Sequence, residues 1–365
     1  MPNFAPTEEQ EEIRNLARSV AIEQLRPHGR SAEKQGEISL ELMHTLMQTG
    51  LTTPYPESLG GSGTIEAIPY TLIAEELGFG DGALAINILG SLMGPVAVLL
   101  AGNENQQAHY ITPFCDEREG YMRFGSFAFA EQTGGYSLTD ISATARPDGE
   151  NFIVNGTKRD VIHGGRSRPR VVLLRLAGTT DLDGLCLLTI PTQPAGMHIR
   201  SNVQKLGLIA ATSVSFTLEN VAIPAVDMLG KPGDSGVIRA ATLYSILRGA
   251  VACGMARAAL EYARDYARER IAFGRPIASY QGIAFMVAEM AMKLDAARLL
   301  VWRAATSWDR GLASEMLVNE AEAAQRQAIQ IAQSATTDAV QILGGAGFIQ
   351  DHPVEMWMRN AAAME

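Results

Sequence analysis

The sequence predicts an α+β protein in which a small β domain lies between two helical domains. Residues 1–120 and 231–365 favour helix, whereas residues 121–230 consist of short β-prone segments separated by turn residues. Over residues 213–218, polar and apolar side chains alternate with the period of a half-buried strand. Helices, then strands, then a helical bundle is an order typical of the α+β class. We therefore predict three domains with these bounds.

The N-terminal domain is predicted to contain several helices. Thr7 and Ser39 are candidate N-caps, because each precedes a helix-favouring stretch with acidic residues in its first turn. A loop rich in glycine and proline fills residues 50–63. Helix is predicted to resume over residues 67–77 and 90–101.

The middle domain is predicted to be a compact antiparallel β structure that ends near Pro224. Its strands are expected at short apolar or alternating segments between turn residues. These segments are residues 151–158, 171–176, 185–190 and 213–218.

The C-terminal domain is predicted to be a bundle of long helices. Helix-favouring sequence begins near Asp234, and two further helices are expected over residues 281–310 and 314–343. A glycine-rich stretch then interrupts the pattern, and Pro353 is predicted to open a last short helix.

Composition argues against several classes of function. The net charge of −10 disfavours nonspecific binding of nucleic acid, which needs a basic surface. No apolar run is expected to reach the roughly 20 residues that span a bilayer. The N-terminus has neither an apolar signal core nor a transit-peptide composition. The expected location is therefore the cytoplasm.

Neither a metal centre nor a Rossmann site is expected. The three cysteines are far apart and read as free thiols, and the six histidines lack the spacing of metal ligands. The glycine-rich residues 78–82 follow a helix rather than a strand, which does not fit a dinucleotide-binding fingerprint.

Several separate segments, in order, resemble the acyl-CoA dehydrogenase family over roughly residues 5–363. The segments are Pro56–Gly63, Ala74–Leu77, Asp148–Glu150 with Asn155–Lys158, Arg270–Ile277 with Gln281, Gln341–Phe348 and Met358–Ala361. The resemblance implies the family's fold, with an N-terminal helical domain, a middle β domain and a C-terminal four-helix bundle. It also implies dimers or tetramers formed through that bundle.

The resemblance further implies FAD as cofactor and an acyl-CoA thioester as substrate. In the family, FAD lies at a subunit interface, and its adenine end lies against the neighbouring protomer. A base removes the α-proton of the acyl group while hydride passes from the β-carbon to the flavin.

The residues that the family uses on the nucleotide end of FAD are present. By resemblance, Arg270 would contact the pyrophosphate, because its fork of donors matches phosphate oxygens. The other implied cofactor-binding residues are Phe273, Gln281, Gln341, Ile342, Leu343, Gly344 and Gly345.

The residues that the family places around the flavin ring differ. Within residues 127–137, Ala130 stands where the family has a hydroxyl, and Tyr136 stands where it has a small residue beside the substrate. Asp160 and Ile162 stand where the family has the Trp and the Thr next to the flavin.

The catalytic base of the family also has no clear counterpart. The usual Glu would lie about three residues beyond Glu365, and Tyr244 stands at the alternative position for the base. Glu365, Tyr244 and Asp160 remain candidates. Arg248, one turn after Tyr244, is either a substrate-binding residue or an ordinary helix cation.

This pattern resembles one subunit of a heteromeric acyl-CoA dehydrogenase. In such α2β2 proteins a paralogous chain supplies the base and the flavin pocket, and the substrates are bulky CoA esters that include steroid side chains. Two alternatives stay open at this point. They are an autonomous flavin-dependent oxidase or monooxygenase of the same fold, and a non-catalytic scaffold paralogue.

Overall fold

The computed structural model describes residues 5–63, 65–133, 135–200 and 204–365. The first domain begins with α1, for which Thr7 forms the predicted N-cap in a reciprocal capping box with Gln10. Ser39 caps α3 by accepting from Leu42 N–H at 3.2 Å. A π-helical turn, Ala21–Leu25, joins α1 to α2. The helices are α1 Glu8–Val20, α2 Arg26–Gln35, α3 Leu40–Gln48, α4 Ala67–Gly80, α5 Gly82–Ala101 and α6 Glu104–Ile111.

Close contact between α4 and the later helix α7 (Ser235–Glu269) depends on glycine. A Cβ added at Gly78 would lie 2.4 Å from Val251 O, and one at Gly254 would lie 2.1 Å from Glu75 O. These glycines therefore allow the two helices to approach each other closely.

Two helices have the length and composition of a membrane span, namely α5 and α7 (Ser235–Glu269). The expectation that no apolar run reaches about 20 residues is therefore wrong. Within the protein, however, 89% of the apolar stretch of α5 and 94% of that of α7 are buried. They are core helices, and a membrane span is not supported.

The middle domain is one twisted sheet with the strand order β6-β7-β3-β2-β4-β5-β8, to which β1 adds alongside β4. The predicted antiparallel arrangement holds for most pairs, but β4 pairs in parallel with both β1 and β2. The hairpin of β2 and β3 makes these two strands antiparallel. The chain then reverses direction once more, so β4 runs parallel to β2 when it pairs with it. The strands are β1 Ser126–Ala128, β2 Thr144–Asp148, β3 Asn151–Ile162, β4 Arg170–Leu176, β5 Leu185–Thr189, β6 Met197–Arg200, β7 Ser213–Pro224 and β8 Met228–Leu229.

The C-terminal domain contains α7, α8 (Gln281–Asp309), α9 (Glu315–Leu343) and α10 (Val354–Ala362), close to the predicted bounds. A small hairpin of β9 (Ile271–Ala272) and β10 (Arg275–Pro276) lies between α7 and α8. Buried ion pairs fasten α4 to the bundle, because Glu76 binds Arg257 and Glu75 binds Arg298 at 2.9 Å. All three cysteines are free, as expected.

Candidate functional site

A cluster of stacked side chains fills the space between the β domain and α7. Its members, here called the Tyr136 cluster, are Phe127, Phe129, Tyr136, Tyr244 and Arg248. The guanidinium carbon of Arg248 lies 3.9 Å from the centre of the Tyr136 ring. The rings of Phe127 and Tyr244 are 5.7 Å apart, and those of Phe129 and Tyr136 are 5.5 Å apart. These are edge-to-face geometries, which are typical of stable aromatic packing.

Arg248 is not an ordinary helix cation, so that interpretation is wrong. Its side chain lies inside the protein, with only 3% of the residue exposed. Nη2 donates to the backbone carbonyl of Met364 at 2.6 Å, whereas Nε has no partner among the described residues. An arginine without a carboxylate partner is costly to bury, so the stack on Tyr136 and the bond to Met364 offset part of that cost.

Tyr244 is poorly suited to act as a base in this arrangement. Burial raises the pKa of its hydroxyl far above the ordinary value, with a further rise from Tyr136. Arg248 opposes the rise without cancelling it. A phenol with a raised pKa keeps its proton at neutral pH and cannot accept another.

A cleft of about 360 Å³ adjoins the cluster and contains the candidate base Glu365. Tyr136 and Met364 form part of its wall, and α9 forms the opposite side. On α9, Glu322 accepts from Leu138 N–H at 2.8 Å, and burial raises the pKa of this carboxyl. No sequence signal distinguishes Glu322 from other polar positions of an amphipathic helix, so sequence reasoning did not identify it.

The third candidate, Asp160, lies apart from this cleft. It has a positive φ of 51°, a side chain that is half exposed, and an N–H that donates to Ser215 Oγ. The adjacent Ile162 is buried against α5, where a Cβ added at Gly90 would lie 2.3 Å from it. The structure thus brings Tyr244, Arg248 and the chain terminus together but leaves Asp160 outside.

The segment expected to contact the flavin ring is held by a buried ion pair. Glu131 binds Lys158 Nζ at 2.7 Å and also accepts from Ser142 N–H. Ala130 is buried, and its carbonyl accepts from Arg159 N–H. Gly134 of this segment lies outside the described residues. The pair orders the loop, but it is enclosed in the β domain rather than presented to a ligand.

The predicted nucleotide-binding residues around the β9–β10 hairpin lie on the open surface. Phe273 is 96% exposed and has a φ of 53°. Arg270 and Gln281 flank it and are also exposed. Ile271 beside it is 63% exposed, so the hairpin presents apolar side chains to solvent.

The turn after α9 presents backbone rather than large side chains. Open space surrounds Gly344 and Gly345, and Gly344 has a φ of 59°, which suits glycine. Gln341 is exposed, whereas Ile342 and Leu343 are buried. Of the predicted cofactor residues, these last two can therefore offer only backbone groups.

These residues fit the nucleotide end of FAD. A guanidinium, an exposed aromatic ring, two amide side chains and an open glycine turn match the donors and the close approach that a pyrophosphate and an adenine require. Around the flavin position the family's contact residues are replaced, and Tyr136 and Tyr244 pack against each other.

Together, the three-domain fold and this surface define an FAD-dependent oxidoreductase. Three family models match the chain: the N-terminal, middle and C-terminal domains of acyl-CoA dehydrogenase, over residues 7–118, 126–221 and 234–365. The chain belongs to the acyl-CoA dehydrogenase family.

Individual relatives agree with this assignment. The chain is 33% identical to an acyl-CoA dehydrogenase of Bacillus subtilis, covering 97% of this chain and 93% of the relative. It is 30% identical to the mitochondrial short-chain specific enzyme of Rattus norvegicus, covering 97% and 85%. The butyryl-CoA dehydrogenase of Megasphaera elsdenii has a similar structure, with a TM-score of 0.84, 27% identity, and coverage of 100% and 95%.

The family acts on the CH–CH group of acyl-CoA thioesters with FAD as cofactor, in fatty-acid β-oxidation. FAD-linked acyl-CoA dehydrogenation is therefore the activity of this class, and FAD is its cofactor. The comparisons do not favour the oxidase, the monooxygenase or the scaffold alternative. An FAD complex of PigA, at 20% identity and a TM-score of 0.86, shares the fold alone.

Proposed function

We propose that this chain is the FAD-site-completing subunit of a heterotetrameric, cytoplasmic acyl-CoA dehydrogenase. Its partner would be a paralogous chain that supplies the base and the seat of the flavin ring. The substrate would be a bulky CoA ester, of which steroid side chains are one example. The bulky acyl group is proposed from the resemblance to heteromeric members of the family.

The observation that carries the proposal is the packing of Tyr136 and Tyr244. Tyr136 replaces a small residue beside the expected substrate path, and Tyr244 occupies the alternative position of the base. Their ring centres are 6.0 Å apart, and Arg248 covers Tyr136. A bound thioester needs a preformed cavity at this place, and here the cavity is occupied by side chains.

The candidate bases support the same conclusion. Tyr244 holds its proton, and Asp160 lies outside the cluster and its cleft. A general base must lie within hydrogen-bond reach of the proton that it removes. Neither residue fits that role, which supports a base supplied by the partner, whereas Glu365 at the cleft is the alternative within this chain.

The exposed residues of the β9–β10 hairpin and of the turn after α9 support binding of the nucleotide end of a cofactor. Arg270 would hold the pyrophosphate, while Gln281 and Gln341 would donate to the same end and Phe273 would cover it. The turn at Gly344 and Gly345 would bring backbone N–H groups close. When bound, FAD supplies the hydride acceptor, and this chain would contribute orientation and charge neutralisation.

An apolar stripe on α8 supports assembly through the bundle. Phe285, Met292 and Leu299 are spaced by seven residues and are 63%, 64% and 43% exposed. Two turns of helix separate each pair, so all three lie on one face. A face of this kind is stable in water when another subunit covers it.

The test is to express the chain alone and together with a paralogue that retains the C-terminal Glu and the Trp-x-Thr segment. We expect the chain alone to bind little flavin and to be inactive. The mixture should form an α2β2 tetramer with bound FAD and acyl-CoA dehydrogenase activity. If the chain alone bound one FAD per protomer and oxidised an acyl-CoA, the proposal would be wrong.

A further inference from the structure

A second cleft, of about 910 Å³, lies between the N-terminal helices and the β domain. Its walls are the loop between α2 and α3, the end of α6, residues 122–124 before β1, and the turn of residues 163–168 after β3. None of the predicted cofactor or catalytic residues lines it. The family resemblance assigns no role to it in this chain.

The cleft is basic although the chain as a whole carries a net charge of −10. Arg123, Arg166, Arg168 and His109 line it, and Glu37 is the one carboxylate among the described lining residues. Three guanidinium groups that share one cleft repel each other. An anion bound between them would relieve that repulsion.

Two of these arginines are oriented by neutral groups. Arg166 lies over the ring of Phe124 at 4.1 Å, and Phe124 in turn packs on His163 at 4.3 Å. Arg168 Nη2 donates to His109 Nε2 at 3.0 Å. An arginine has no acceptor, so the imidazole nitrogen must accept and the positive charge stays uncompensated.

The carboxylates nearby neutralise the cleft only weakly. Glu37 lies 3.6 Å from Arg166, and both side chains are about half exposed. Arg123 pairs with Glu119 at 3.3 Å, again at exposed positions. Exposed pairs of this kind contribute little and exchange readily for a better ligand.

Apolar side chains lie beside the arginines. Phe124 is buried at the floor of the cleft, and Tyr110, Ile38, Leu40 and Met122 complete the apolar part of the wall. A ligand that fits both parts carries anionic groups on a flat apolar body. Arg166 and His163 already pack on Phe124, so a base would lie against the other apolar side chains of the wall while the arginines bind the phosphates.

We propose that this cleft binds a phosphorylated nucleotide, with its phosphates on Arg166 and Arg168 and its base against the apolar wall. The ligand would bridge the N-terminal and middle domains. It would therefore stabilise the folded chain by RT ln(1 + L/Kd), where L is the concentration of free ligand. This inference is independent of the heterotetramer proposed above.

The test is calorimetric titration of the full chain with ADP, adenosine 3′,5′-bisphosphate, pyrophosphate and adenosine, which requires neither FAD nor a partner subunit. The double variant described below distinguishes binding in this cleft from binding near Arg270. We expect at least one of the two adenosine diphosphates to bind more tightly than pyrophosphate, and adenosine not to bind. Tighter binding of ADP would identify the ligand as a free nucleoside diphosphate. Tighter binding of adenosine 3′,5′-bisphosphate would identify it as the phosphoadenosine end of a larger molecule.

The double variant Arg166→Gln/Arg168→Gln is expected to weaken nucleotide binding at least tenfold, while Arg146→Gln, on the exposed β2–β3 hairpin, leaves it unchanged. Equal affinity for pyrophosphate and for the nucleotides would show that the cleft does not recognise a base, and would overturn the proposal. Unaltered nucleotide binding by the double variant would also overturn it.

Discussion

Arg248 lies over Tyr136 at 3.9 Å, so a cation on α7 and an aromatic ring on the β-domain loop join two domains by one stacked contact. The same guanidinium binds the carbonyl of Met364. One side chain therefore connects α7, the β domain and the last residues of the chain.

The variant Arg248→Met should loosen the chain terminus. Methionine keeps much of the volume but loses the stack and the bond to Met364, which together stabilise the local structure by roughly 1–3 kcal/mol. We expect hydrogen exchange at residues 362–365 to accelerate about tenfold or more. Arg303→Met is the control, because Arg303 is an exposed residue of α8 paired with Glu320. Unchanged exchange at the terminus would show that the contact is not stabilising.

The buried pair of Glu131 and Lys158 should be strongly coupled. Burial lowers the pKa of Lys158 to about 8, although Glu131 opposes the change. Burial acts to raise the pKa of Glu131, but the charge and hydrogen bond of Lys158 outweigh it and the net pKa is lowered. Both groups are therefore charged at neutral pH.

Glu131→Gln should lower the free energy of unfolding by about 3–5 kcal/mol, because it leaves a buried cation unpaired. The double variant Glu131→Gln/Lys158→Met should lose less unfolding free energy than the sum of the losses in Glu131→Gln and Lys158→Met. The control is Asp148→Asn, because Asp148 forms an exposed pair with Arg146 at 3.7 Å. This variant should change the free energy of unfolding by less than about 0.5 kcal/mol. Urea unfolding of the four variants measures the coupling, and simple additivity would contradict it.

Asp81 should make stability depend on pH in the acid range. Burial raises the pKa of this carboxyl to about 6, against the opposing hydrogen bonds from Leu84 and Ala83. Between about pH 4 and 6 the folded state therefore holds a proton that the unfolded state has released. Stability is lost as the pH rises through 6, by up to about 3 kcal/mol.

The matched variant is Asp81→Asn, because asparagine is an equally good N-cap for α5 and does not titrate. We expect the variant to match the native chain near pH 4 and to exceed its free energy of unfolding at pH 7. Denaturation at a series of pH values measures the difference. Parallel curves for the two proteins would contradict the raised pKa.

Arg270→Gln should reduce flavin content in whichever assembly binds FAD. The loss of a charge-assisted bond to phosphate costs roughly 1.5–3 kcal/mol, or tenfold and more in Kd. Arg268→Gln, two residues earlier at the end of α7, is the control for loss of an exposed cation. Bound flavin, measured by absorbance, should fall for the first variant only. An equal fall for both would indicate a general charge effect.

Local features were predictable because they depend on neighbouring residues. The caps at Thr7 and Ser39 and the ends of α8 and α9 follow from side chains within one or two helical turns. The resemblance names Arg270 and Phe273 as cofactor-binding residues, and both are exposed in the structure. Whether they bind FAD stays a prediction.

The site itself was less predictable. Arg248 could be a helix cation or a ligand-binding residue by sequence, and only the packing of Tyr136 from a distant loop shows that it is buried. Glu322 looks like any polar residue of α9 until Leu138 N–H is found beside it. The parallel pairing of β4 with β2 was missed because strand periodicity carries no direction.

The sequence by itself determined the helix–strand–helix order and the family, because periodicity, caps and contiguous motifs are properties of neighbouring residues. The tertiary structure alone decided that α5 is a core helix, that Tyr136, Tyr244 and Arg248 fill one space, and that arginines from separate loops share a second cleft. Those arrangements depend on contacts between residues far apart in the chain, which no local pattern encodes.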